Sequence, residues 1–288
     1  MGRRSKDKTG KKMTIFLLIF MALLSASAGE ITSFNIPTKA PRNKTVKMVL
    51  RIPADFSPED AKNYRVMVLF GGRNWHGEKT IKTYDFVKVA DKHKLFLLSP
   101  SFKNDEYWEP KKWSGKALLE AINKIKKKYK LNLDGQVLYF GYSAGAQCAA
   151  LFYRWKPEIV KAWGAYACGV WFWPKKQVTN AVPAIITCGE DDIQRYLLSK
   201  RFVRTAREHG YSIIWRSYPI EHGLSSKALA LTRSFFASVL SGQSKAKYIG
   251  DDQEMNFYPV QSKNARNIEI EYRNNFSNLN LAKQWKKQ

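Results

Sequence analysis

Val137-Leu138-Tyr139-Phe140-Gly141-Tyr142-Ser143-Ala144-Gly145-Ala146 is the stretch on which the reading of this chain turns. Four apolar residues read as a buried strand, and they run directly into Gly-x-Ser-x-Gly and then a helix of small residues. That order describes a nucleophile elbow, a tight strand-to-helix turn with a serine at its apex. The glycines follow from geometry, because side chains two residues either side of the serine would collide with the neighbouring strand and helix. The turn aims the hydroxyl out of the sheet and sets the N-terminus of the next helix beneath any oxyanion formed there. Ser143 is therefore the candidate nucleophile, and the Ala144 N–H is one candidate oxyanion donor.

Working outward, residues 46–53 alternate like an edge strand. Arg65–Phe70, Leu95–Pro100 and residues 160–168, 182–188 and 212–218 read as buried strands. Helical spacing recurs over residues 80–93, from Ser114 through Ile125, from the elbow to near Pro157, and over residues 193–209 and 225–240. Apolar strands alternating with amphipathic helices predict an α/β fold, a mostly parallel central sheet with helices on both faces. In such a sheet functional residues gather past the carboxyl ends of the strands.

That expectation supplies partners for Ser143. Residues 182–188 run into Gly189-Glu190-Asp191-Asp192, and residues 212–218 into Pro219-Ile220-Glu221-His222-Gly223, in the order serine, acid, histidine. The chain has four histidines. His93 and His209 end helices at the amino side of the sheet, where the helix dipole accounts for them. His76 stands upstream of the nucleophile, the wrong chain order for the base. His222 remains as the general base. Asp192 is the first choice for the acid, Asp191 the second and Glu190 the third, with at least one of the three capping the following helix. The second oxyanion donor is expected from the loop after residue 70, Gly71-Gly72-Arg73-Asn74-Trp75, at Gly72 or Arg73. Trp75, Trp171 and Trp173 fall in loops near this site; either they form a platform for a sugar or an aromatic acyl group, or they close over the core.

These motifs, together with residues 47–53, 66–72, 86–100 and 133–146, resemble secreted α/β-hydrolase esterases, most closely the polyhydroxybutyrate depolymerase and feruloyl or acetyl-xylan esterase group. The resemblance spans about residues 45–240. It implies the α/β-hydrolase fold, a carboxylic ester substrate such as an acyl group on a polysaccharide, and no cofactor. Two positions depart from the group: Phe70-Gly71 stands where His-Gly is frequent, and Ala146 where a third glycine is common.

Residues 1–28 read as a signal peptide. Six basic residues precede the apolar run from Ile15 to Leu24, and Ser25-Ala26-Ser27-Ala28 offers small residues for cleavage after Ala28. The run is short for a bilayer span, so a secreted or periplasmic protein with no stable membrane span is expected. The domain expectation is a catalytic unit over residues 29–242 and a polar extension over 243–288. That extension reads equally as a strand pair, a surface wrap or a partly disordered tail.

The formal charge of +25 over 288 residues sits on lysines scattered across helix faces, without any nucleic-acid-binding motif. No nucleic-acid partner is inferred; acidic glycans or lipid headgroups suit such a surface. No metal-ligand spacing appears. Of three cysteines, Cys168 and Cys188 either pair or remain buried thiols. Two rivals share the sequence pattern: a peptidase on the same scaffold, and a glycan-binding protein without catalysis.

Overall fold

The computed structural model describes residues 29–42, 44–134, 137–243 and 245–287; the expected signal peptide lies outside them. Its centre is an eight-stranded sheet of β1 (Ile31–Pro37), β2 (Thr45–Arg51), β3 (Arg65–Phe70), β4 (Leu95–Pro100), β5 (Val137–Tyr142), β6 (Val160–Tyr166), β7 (Ala184–Gly189) and β8 (Ile213–Tyr218). The spatial order is β1-β2-β4-β3-β5-β6-β7-β8. Strands β4 to β8 and β3 are mutually parallel, while β2 runs antiparallel to both its neighbours. From β3 the chain goes first to β4 on one flank and later to β5 on the other. The crevice past the carboxyl ends at such a reversal is where open α/β sheets bind ligands.

Strand β5 shows why its sequence is continuously apolar. Phe140 meets Tyr84, Phe86 and Phe236 on one face, whereas its neighbour Tyr139 meets Phe70, which packs on Phe152. Both faces of the sheet are covered, so alternation disappears. The covering helices are α1 (Gly77–Tyr84), α2 (Val87–Lys92), α3 (Ser114–Tyr129), α4 (Ala144–Trp155), α5 (Ile193–Glu208) and α6 (Ser226–Leu240).

Three differences from the sequence reading are informative. The strand at β2 is not an edge, because β1 pairs along its whole length. The helix expected over residues 80–93 is two helices, because Asp85 adopts a left-handed conformation (φ 50°) that turns the chain and drops Phe86 into the core. Residues 248–286 are folded, forming a second sheet, β10-β9-β11 (Asn256–Pro259, Tyr248–Asp251, Arg273–Phe276), with helices α7 (Lys263–Asn267) and α8 (Leu279–Lys286).

That second sheet closes the open edge at β8. Asn274 Oδ1 accepts the Trp215 N–H (2.7 Å), and the buried Trp285 donates its indole N–H to Trp215 O (2.7 Å). Arg207, fully buried on α5, donates to Ile213 O, Glu271 O, Asn274 Oδ1 and the Asp252 carboxylate. An edge strand otherwise presents unpaired N–H and C=O groups to any passing chain.

Candidate active site

The elbow begins where β5 ends. Ser143 has φ 57° and ψ −120°, a backbone state costly for a residue with a side chain. It is held from both sides: Ser143 N–H donates to Tyr166 O (2.8 Å) at the end of β6, while Ser143 O accepts from Ala146 and Gln147 in α4. The two glycines are required by different neighbours. A Cβ at Gly141 would run into Gly145 O and lie 2.8 Å from Ala146 N; one at Gly145 would press on Phe70 O and lie 2.5 Å from Gly71 O. The first protects the turn itself and the second its contact with β3.

The later loops converge on the same point. His222 Nε2 lies 2.9 Å from Ser143 Oγ, and His222 Nδ1 lies 2.6 Å from Asp192 Oδ2. Asp192 occupies the N-cap position of α5 yet makes no cap hydrogen bond. Its side chain is turned toward His222 instead. Of the rival acids, Asp191 is exposed and Glu190 accepts from Ser217 Oγ (2.7 Å). Gly189 makes this convergence possible: a Cβ there would strike Ile220 O and stand 2.5 Å from Glu221 O, in the loop that carries His222. The other histidines lie elsewhere, His76 exposed at the N-cap of α1, and His93 and His209 at the C-caps of α2 and α5.

Four residues around these three did not stand out in the sequence. Arg195 Nη1 bonds the outer oxygen of Asp192 (3.1 Å), fixing the carboxylate at both ends. Tyr142, the variable residue of Gly-x-Ser, stacks on the His222 ring (centroids 5.1 Å apart) and donates its hydroxyl to His222 O (3.2 Å). Tyr84 accepts the Tyr142 N–H (3.0 Å) and donates to Phe70 O (2.8 Å), tying the elbow to the end of β3. Tyr166 accepts the Ser225 N–H (2.9 Å) beyond the histidine loop. Burial first, and then the nearby Asp192 charge, push the Tyr142 phenol up, so it stays a protonated donor. Only Arg195 left a legible trace, three residues along a helix from Asp192.

Ala144 opens α4, and its first-turn N–H has no carbonyl within the helix to receive it. The Gly72-Arg73 loop folds over Tyr142: a Cβ on Gly72 would lie 3.1 Å from the Trp75 ring and 3.3 Å from Tyr142. Trp75 donates its N–H to Gly72 O (3.0 Å) and is half-buried. A cavity of about 340 Å³ opens beside this loop, lined by Arg42, Arg73, Asn74, Tyr107 and Trp108 among others. Trp171 takes the core alternative, buried and stacked on Phe202 (4.2 Å), whereas Trp173 is exposed with Arg201 over its ring.

Cys148, Cys168 and Cys188 are all buried free thiols. No group of His, Cys, Asp or Glu among the described residues is arranged to hold a metal ion, and no helix among them is long and apolar enough to cross a membrane.

Compared by sequence, the chain matches no protein-family model and no curated protein. Compared by structure, it is similar to a ferulic acid esterase (TM-score 0.60, 15% identity, 74% of this chain and 99% of that one). It is similar also to an S-formylglutathione hydrolase from Staphylococcus aureus (TM-score 0.53, 14% identity, 76% and 98%) and to poly(aspartic acid) hydrolase-1 from Sphingomonas sp. KT-1 (TM-score 0.56, 12% identity, 75% and 99%). The chain has the α/β-hydrolase fold. At these identities the likeness defines the scaffold, and chemistry has to be argued from the site.

Proposed function

We propose that this protein is an exported serine esterase that hydrolyses carboxylic esters through an acyl-enzyme. One geometry carries the reading: a single imidazole spans 2.9 Å to Ser143 Oγ and 2.6 Å to Asp192 Oδ2, at the apex of a strained turn. With Asp192 ionised, it accepts the His222 Nδ1–H, which leaves Nε2 as the acceptor for the serine proton. Ser143 Oγ attacks the acyl carbon while His222 takes that proton. The carbonyl oxygen becomes an oxyanion bonded by the Ala144 N–H and by the N–H of Gly72 or Arg73. His222 then returns the proton to the departing alcohol. A water, deprotonated by the same imidazole, attacks the acyl carbon, and His222 gives that proton to the departing Ser143 Oγ, freeing the acid and restoring the serine.

The acyl group is proposed to be one carried on a polysaccharide, with Trp75 and Trp173 as the aromatic surfaces offered to it. The support is their partial exposure and, for Trp75, its place on the loop that folds over Tyr142. Ser143→Ala should abolish turnover of a short p-nitrophenyl ester, and an organophosphonate probe should label Ser143 in the folded wild type. Persistent turnover in Ser143→Ala removes the nucleophile assignment. Absence of labelling favours the non-catalytic glycan binder, and faster cleavage of a matched amide than of the ester favours the peptidase. Asp192→Asn should cost about three to four orders of magnitude in kcat, while Asp191→Asn should be nearly silent. The reverse result would make Asp191 the acid.

A further inference from the structure

A second pocket, of about 610 Å³, opens between the end of β8 and the first turn of α6, where the loop bearing His222 begins. None of Ser143, Asp192 or His222 lines it. Its polar lining is unusual because its unpaired groups are donors. Arg216 is 9% exposed, and no carboxylate pairs with it among the described residues. Its Nη1 reaches the sulfur of Met255 (3.2 Å), a weak acceptor, and its Nε has no partner. Tyr218, 2% exposed and two residues along the same strand, has a buried hydroxyl with no partner. A buried cation without a counter-charge is expensive, and a bound anion is one way to offset that cost.

The first turn of α6 adds donors on the opposite side, and Glu190 is the acidic member of the lining. Ser225 caps α6, accepting from the Ala228 N–H, and Ser226 and Lys227 follow in its first turn. The free N–H groups and partial positive charge of a helix start favour an anion there, and the Lys227 ammonium adds to them. The carboxylate of the lining, Glu190, is engaged by Ser217 Oγ (2.7 Å).

We propose that this pocket binds a phosphate or sulfate group. The Arg216 guanidinium and the Tyr218 hydroxyl donate from β8, and the first turn of α6 with Lys227 closes on the group from the other side. A guanidinium fork opposed by a helix start suits a tetrahedral oxyanion with several acceptor oxygens. The bound group bridges the two elements that the His222 loop connects.

The test uses the whole secreted protein with inorganic phosphate and inorganic sulfate as probes. Binding is followed by calorimetry and thermal melting, with sodium chloride holding ionic strength constant. Saturable one-to-one binding is expected, with a rise in Tm that chloride does not reproduce. Arg216→Met and Tyr218→Phe should each weaken that binding, the arginine variant by at least about tenfold. Tyr218→Phe removes an unpaired hydroxyl, so in chloride it should melt no lower than wild type, and its lost binding then cannot be unfolding. A sulfated monosaccharide that binds more tightly than inorganic sulfate places the group on a sugar; equal binding makes the ligand the free ion. Absence of saturable binding by the wild type, or equal binding by both variants, overturns the proposal.

Discussion

Replacing Gly145 with alanine adds one methyl group and should disable the site. A Cβ at this position would stand 2.5 Å from Gly71 O and nearer still to Phe70 O. Ordinary C···O contact begins at about 3.3 Å, so something must retreat by about 1 Å. Both obstacles are backbone atoms, and the nearer is fixed: Phe70 pairs in register with Gly141 across β3 and β5, and its carbonyl holds the Tyr84 hydroxyl. The strain therefore passes to the elbow and to the Gly72-Arg73 loop, the two proposed sources of oxyanion donors. Overpacking of this kind costs about 1–3 kcal/mol, or a fall in Tm of several degrees for a chain of this size. A misplacement of about 1 Å between reacting groups costs on the order of 100-fold in rate. Initial rates on a p-nitrophenyl ester and a thermal melt measure the two losses together. Gly223→Ala is the control: it adjoins His222 in sequence, but a Cβ there meets nothing within 4 Å. It should keep both activity and Tm. Wild-type rates from Gly145→Ala, or equal losses from the two variants, would refute the claim that close approach of β3 to the elbow sets the geometry.

Other outcomes follow from the packing and the charges. Arg207→Ala leaves the mostly buried Asp252 without its counter-charge, which should cost about 3–5 kcal/mol and lower Tm by on the order of 10 °C; adding Asp252→Asn should recover much of that loss, measured by melting the single and double variants. At Asp91, burial raises the carboxyl, but the paired bonds from Arg51 and the Ala54 N–H outweigh it and hold the group below its ordinary value. Its stabilisation is present above the unfolded carboxylate pKa of about 3.9 and is lost as pH falls through the lowered native value. Asp91→Asn should therefore lower Tm at neutral pH and converge with wild type in acid; an equal deficit at every pH would contradict this. Burial pushes the Cys188 thiol up to about 12 and raises Cys148 and Cys168 as well, so a disulfide reagent should react slowly with native protein and titrate three thiols after denaturation. One thiol after denaturation would mean that a pair had oxidised.

Each departure of the fold from the sequence pattern has a physical cause. Strand β1 is half-exposed, with only Ile36 fully buried, so its alternation is shallow beside the stronger pattern of β2. The helix break at Asp85 arises because Phe86 is drawn between Phe140 and Phe236, residues about 50 and 150 positions away that no local window contains. The segment after residue 243 looks polar because its role is to satisfy an edge. Asp252 and the buried Asn274 and Arg207 are polar side chains whose partners are backbone groups of β8 and of the segment itself, or each other.

What the sequence by itself determined is the alternation of strands and helices, the elbow at Ser143, and the chain order in which an acid and His222 follow it. Those are local properties: a period, a glycine spacing, a succession of strand ends. Tertiary structure alone decided which of three consecutive acids faces His222, that Trp171 is core while Trp173 is not, and that Tyr142, Tyr84 and Tyr166 brace the site. It also left Arg216 Nε and the Tyr218 hydroxyl without hydrogen-bond partners beside the histidine loop. The reason is that a hydrogen bond or an orphaned donor is settled by which backbones converge. Convergence here depends on strands brought side by side from positions 70, 142, 189 and 218, and no spacing along the chain encodes that.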